Sequence, residues 1–256
     1  MEDIVSVWED IGLKLNKIAE GINGKADKEL NKEDSCNFYN QVYGVADLIN
    51  KKVTEVMNES QDVQADTSAL RKMPVPIKEI ARCLHIHIGE TQLPQDLENS
   101  QRGYRRRITY LKKIKDYEPF LFIDPEAAEE EVRYAIAFGI GQYMSYYQEH
   151  SEEDIAGQEY TLIPMLSKDA KSLVADALAI ALLVPFNDFM DSFNEYINMA
   201  RDHKELPIRT EGWLEYLSGK AGISFCNMAI GYQQLRYVVL ARQEEILGKY
   251  SGLFMD

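Results

Sequence analysis

Residue types suited to metal or nucleophilic chemistry are sparse here: 256 residues contain four histidines and three cysteines. His85 and His87 stand at i and i+2, so on a strand they share a face, with Cys83 close in sequence. Such donors could hold a zinc ion, but His150 and His203 are the only other histidines and no second cluster supplies further ligands. The plainer reading is a strand pair without metal. Cys36, Cys83 and Cys226 lie far apart, are odd in number and form no CxxC pair. They fit a reduced compartment and suggest neither a disulfide framework nor a thiolate zinc site.

Charge narrows the partners. The formal net charge is -14, which gives no general electrostatic drive towards nucleic acid or an anionic membrane and would suit a basic partner; solubility alone also explains it. One stretch departs from this: Arg102–Lys115 (RGYRRRITYLKKIK) holds seven Lys/Arg and no acid, with Tyr104 and Tyr110 interleaved. Arg102, Arg105, Arg106, Arg107, Lys112 and Lys113 are therefore candidates for partner binding. A nucleic-acid grip is the less favoured reading. A strand edge protected by charge, or a face paired with the acidic N-terminal segment, accounts for the pattern more simply.

The elements that would position these groups are mostly helical. Ile4, Trp8, Ile11, Leu15, Ile18 and Ile22 alternate spacings of four and three, the seam of a helix packed lengthwise on another. A second helix is predicted from near Ser35, carrying Phe38, Val42, Val45, Ile49, Val53 and Val56. Residues 1–70 thus read as a helical hairpin with 14 acidic and 7 basic residues, which covers the main domain or forms a homodimer; Glu59–Ser68 reads as a linker. From residue 73 the pattern is mixed. A short helix over Ile77–Leu84 is followed by strands at His85–Ile88, Arg105–Ile114 and Pro119–Ile123. Asp124-Pro125 then reads as a helix start, with a helix to about Tyr147 and another over Lys168–Leu183 that stops near Pro185. Phe186–Asp256 reads as several helices punctuated by Gly219, Gly222 and Gly231. The acidic start Met1–Asp10 argues against secretion, and the apolar run Ala175–Phe186, interrupted by Asp176, is too short to span a bilayer. A cytoplasmic protein without membrane association is expected.

Four stretches carry a resemblance to a known family: Val75–His87 (VPIKEIARCLHIH), Pro119–Ile123, Val132–Tyr143 (VRYAIAFGIGQY) and Ala175–Pro185 (ADALAIALLVP). Together they resemble the ImmA/IrrE-type metallopeptidase domain, with Gly222-Ile223-Ser224 resembling a turn near the end of such domains more weakly. The resemblance implies a zincin-like α+β fold over residues 73–256, mostly helical, with a small antiparallel sheet.

It also implies that the chemistry is gone. Members place two histidines at i and i+4, so that one helical turn brings both imidazoles to a metal, and a glutamate between them polarises the bound water. Here the matching positions are Phe138, Gln142 and Gly139, and the third ligand, a carboxylate, falls on Val174. Phe, Gly and Val offer no donor, and Gln is an uncommon zinc ligand. Neighbours do not rebuild the set: on a continuous helix His150 lies about 12 Å beyond Gln142, and Asp176 points about 200° round from Val174. No metal or other cofactor is expected.

The leading expectation is a catalytically inactive metallopeptidase-like protein that binds a protein partner in a regulatory setting, related to phage or mobile elements as the resemblance implies. Gly139 and Val174 would widen the old cleft into an apolar groove, with a strand within Arg105–Ile123 as its docking line. Two alternatives stand beside it. One is an acidic inhibitor mimicking nucleic acid for a nucleic-acid-handling protein; the other is a metallopeptidase with a displaced site, which no residue set supports.

Overall fold

The computed structural model describes residues 4–23, 30–59, 70, 72–91, 109–112, 120–146, 156–159, 170–202 and 210–250. Two long helices come first, α1 (Ile4–Ile22) and α2 (Lys32–Glu59), then a short α3 (Ile77–Cys83). Strands β1 (His87–Glu90), β2 (Thr109–Lys112) and β3 (Phe120–Ile123) lead to α4 (Glu129–Tyr146), and β4 (Ala156–Glu159) to α5 (Ala170–Leu183). Four further helices complete the described chain: α6 (Phe186–Asp202), α7 (Thr210–Ala221), α8 (Phe225–Ala241) and α9 (Gln243–Tyr250). The described residues are mostly helical with one small sheet.

The predicted seam of α1 is where its burial falls: Trp8, Ile11, Leu15, Ile18 and Ile22 are all buried. On α2 the matching stripe is Phe38, Val42, Val45, Ile49 and Val53. Burying each such side chain contributes about 1.5–3 kcal/mol over leaving it exposed, far more than helix propensity. Both stripes join the same core as α4, α5 and α8, and α1 packs on α4 and α5 as well as on α2. Helix α2 starts at Lys32 rather than near Ser35 because Asn31 caps it. The Asp34 amide donates to Asn31 Oδ1 at 2.9 Å, and Asn31 Nδ2 donates back to Asp34 Oδ2 at 2.8 Å.

The sheet corrects the expectation of an antiparallel arrangement. Its order is β1-β3-β2-β4, and β1 runs parallel to β3, with His87 opposite Phe120 and Glu90 opposite Ile123. Strand β2 is antiparallel to both β3 and β4, so the sheet is mixed. The chain between β1 and β3 visits β2 first, which lets β3 enter beside β1 in the same direction. On β3, Leu121 and Ile123 are buried while Phe120 and Phe122 are half-buried, so one face lies on the helices.

Two predicted boundaries shift for local reasons. Asp124 does not cap α4: its Oδ1 accepts from the Glu126 amide at 3.0 Å and its carbonyl from Ala127 at 3.1 Å, closing a separate turn. The helix begins at Glu129, with Glu129, Glu130 and Glu131 in its first turn, where the helix dipole favours them. Of the three glycines read as punctuation, only Gly222 is one. It adopts φ +64 after α7, whereas Gly219 and Gly231 lie inside α7 and α8. The next helix is capped by Ser224, whose side chain accepts from the Asn227 amide at 3.3 Å. Among the described residues no single helix is long and apolar enough to cross a membrane; α5 and α6 pass such a test only as a pair bent by 56°.

Candidate functional site

Helices α4 and α5 pack closely on one another, and Phe138, Gly139, Gln142 and Val174, the four positions singled out in the sequence, lie on them. They approach closely because Gly141 has no side chain: a Cβ there would stand 2.7 Å from the Ala175 carbonyl oxygen. This places Val174, next to Ala175, on the stretch of α5 that meets the Phe138–Gln142 stretch of α4. Phe138, Gly139, Gln142 and Val174 are all buried. At Gly139 the space is taken, since a Cβ would stand 2.5 Å from Leu121 Cδ1 of β3. The expected apolar groove is therefore filled at this point by Leu121. The expected docking line also moves, because β2 and β3 are both inner strands and, among the described residues, the sheet's edges are β1 and β4.

The other candidates fare differently. His85 is not on a strand. It sits at φ +57 in the turn that ends α3, where the His85 amide donates to the Arg82 carbonyl at 3.0 Å and the Ile86 amide to Ala81 at 2.9 Å. That is a helix-ending motif whose left-handed position usually takes glycine. His87 opens β1 and stacks on Phe120, ring centroids 4.9 Å apart, while Cys83 is buried and burial pushes its thiol up. The two histidines thus do not share a strand face. Among the described residues no group of three His, Cys, Asp or Glu is placed to hold a metal ion. Lys112 ends β2; Arg102, Arg105, Arg106, Arg107 and Lys113 lie outside the described residues, as does most of the linker read at Glu59–Ser68.

Sequence reasoning passed over two polar arrangements inside the helical core. Arg133 of α4 donates through Nη2 to the Val75 carbonyl at 2.8 Å and to the Ala221 carbonyl at 3.2 Å. It ties the entry to α3 to the last turn of α7, and burial pulls its guanidinium below the usual range. A cation at a helix C-terminus also meets the negative end of the dipole. The second arrangement surrounds Asp176 of α5, which is only 3 % exposed. Tyr134 of α4 donates its hydroxyl to Asp176 Oδ1, and Gln234 of α8 donates Nε2 to Oδ2 at 3.2 Å. Burial pushes the carboxyl up to about 7, against the pull of these two bonds. The sequence signal was the single acid inside the apolar run Ala175–Phe186.

No family model matches the chain, and neither a curated protein nor a solved structure is found to be similar to it.

Proposed function

We propose that the protein is a catalytically inactive, metallopeptidase-like scaffold that acts by binding a protein partner. The observation that carries this reading is the packing at Gly139. Where the resembled family places a water-polarising glutamate, this chain has no side chain, and Leu121 of the sheet fills the space. Phe138 and Val174 offer no donor atom at two further positions, and a buried Gln142 amide is a poor substitute for imidazole. A zinc-hydrolase site needs donors for the metal and room for a substrate carbonyl beside its bound water, and the residue types at these positions, with Leu121 against Gly139, support a reading without one. Binding is the function that such a scaffold keeps. The resemblance adds a regulatory setting, since active members act on regulators of phage and mobile elements.

The test is incubation of the purified chain with zinc and an unfolded protein substrate, alongside any protein that co-purifies with it. Both should remain intact at stoichiometric enzyme over hours. Zinc-dependent truncation of either, lost in a Gln142→Ala variant, would overturn the reading.

A further inference from the structure

Asp176 is held in a setting that accommodates two protonation states. Its carboxyl faces Tyr134 from α4, Gln234 from α8 and, in electrostatic range, Tyr39 from α2. Tyr39 stacks on Tyr237 of α8 at 5.7 Å, and burial first and the Asp176 charge second hold its phenol protonated. Among the described residues no cation pairs with Asp176, and α1, which also packs on α5, brings no titratable group that bears on it. The second observation is on Gln234: its Oε1 is buried and has no hydrogen-bond partner.

These facts fit together through the amide. An ionised carboxylate only accepts, so it takes Nε2–H of Gln234. A neutral carboxylic acid has a proton to donate, and Oε1 of the same amide is a buried acceptor without a partner. Rotation about the last side-chain torsion of glutamine exchanges Oε1 and Nε2 at little cost, because that torsion is broad and two-fold. In either orientation one amide atom stays unpaired, so no spare bond favours one state and the proton decides.

We propose that Asp176 and Gln234 form a proton-operated latch between α5 and α8: proton uptake by the carboxyl turns the amide half a turn and seats α8 more firmly on α5. The neutral form removes the charge that the core resists. The folded carboxyl is raised above its ordinary value, so its stabilisation is complete below about pH 4 and is lost as pH rises through about 7. The latch is independent of the metallopeptidase resemblance.

The experiment is carboxyl and side-chain amide NMR of the full chain across about pH 5–8.5, with thermal melts of the native chain and Asp176→Asn. The Asp176 carboxyl should titrate with a midpoint near 7, and the Gln234 amide signals should move with the same midpoint. The native Tm should fall across this range while the Asp176→Asn profile is flatter. A midpoint below about 5, or Gln234 signals that stay fixed through the Asp176 titration, would overturn the proposal. Should Asp176→Asn fail to fold, the titration of the native chain decides alone.

Discussion

Gly141 of α4 and Ala175 of α5 touch backbone to backbone: a methyl group on Gly141 would stand 2.7 Å from the Ala175 carbonyl oxygen and 2.8 Å from its Cα. Backbone cannot swing aside as a side-chain end can, so the two helices must part to admit it. Gly141→Ala is expected to cost about 1–3 kcal/mol in urea unfolding. Gly44→Ala, on the exposed face of α2 with nothing within 4 Å, should instead gain up to about 1 kcal/mol. Equal effects at the two sites would show that the contact between α4 and α5 is not as close as described.

Gly139 meets the flexible end of Leu121, so Gly139→Ala should cost less than Gly141→Ala. Gly139→Glu is a different matter. It would place a carboxylate with no partner in a buried site, at a cost of about 3 kcal/mol or more. Denaturant midpoints of both variants check this. A Gly139→Glu chain as stable as the native one would mean that the space beside Gly139 is open rather than filled by Leu121.

Arg133 joins the Val75 carbonyl, which also accepts from the Ile77 amide at 2.8 Å, to the Ala221 carbonyl. Arg133→Ala should lower stability by about 1.5–3 kcal/mol, the worth of bonds from a charged donor. Arg133→Lys should recover only part of this, since an ammonium is more strongly hydrated than the guanidinium Nη2 that makes both bonds and sits on a stem of different reach. Faster hydrogen exchange in the last turn of α7 would be the local sign.

His85 occupies a left-handed position that costs a residue with a Cβ about 1 kcal/mol. His85→Gly should therefore raise stability by about that amount and leave zinc content unchanged. A loss of stability together with a loss of bound zinc would restore the histidine pair as a metal site.

Most helices were legible in the sequence because their buried stripes follow the helical period, as on α1 and α2. The cap at Asn31 was written plainly as Asn followed three residues later by Asp, yet the start was read at Ser35. The parallel pairing of β1 and β3 was not legible, because four-residue strands carry too little pattern to fix direction. At the site, the residue types at Phe138, Gly139, Gln142 and Val174 were readable, but not what fills the space around them. Leu121 comes from a strand that approaches only in the folded chain. Asp176 stood out as an acid in an apolar helix, while its partners Tyr134 and Gln234 lie 42 and 58 residues away.

The most direct test of the inactive-scaffold reading is calorimetric titration of the metal-free chain with zinc, with melts before and after chelation. The account predicts no stoichiometric uptake and an unchanged melt. Tight binding of one zinc per chain, abolished by Gln142→Ala, would contradict it and mean that the site between α4 and α5 is a working metal centre.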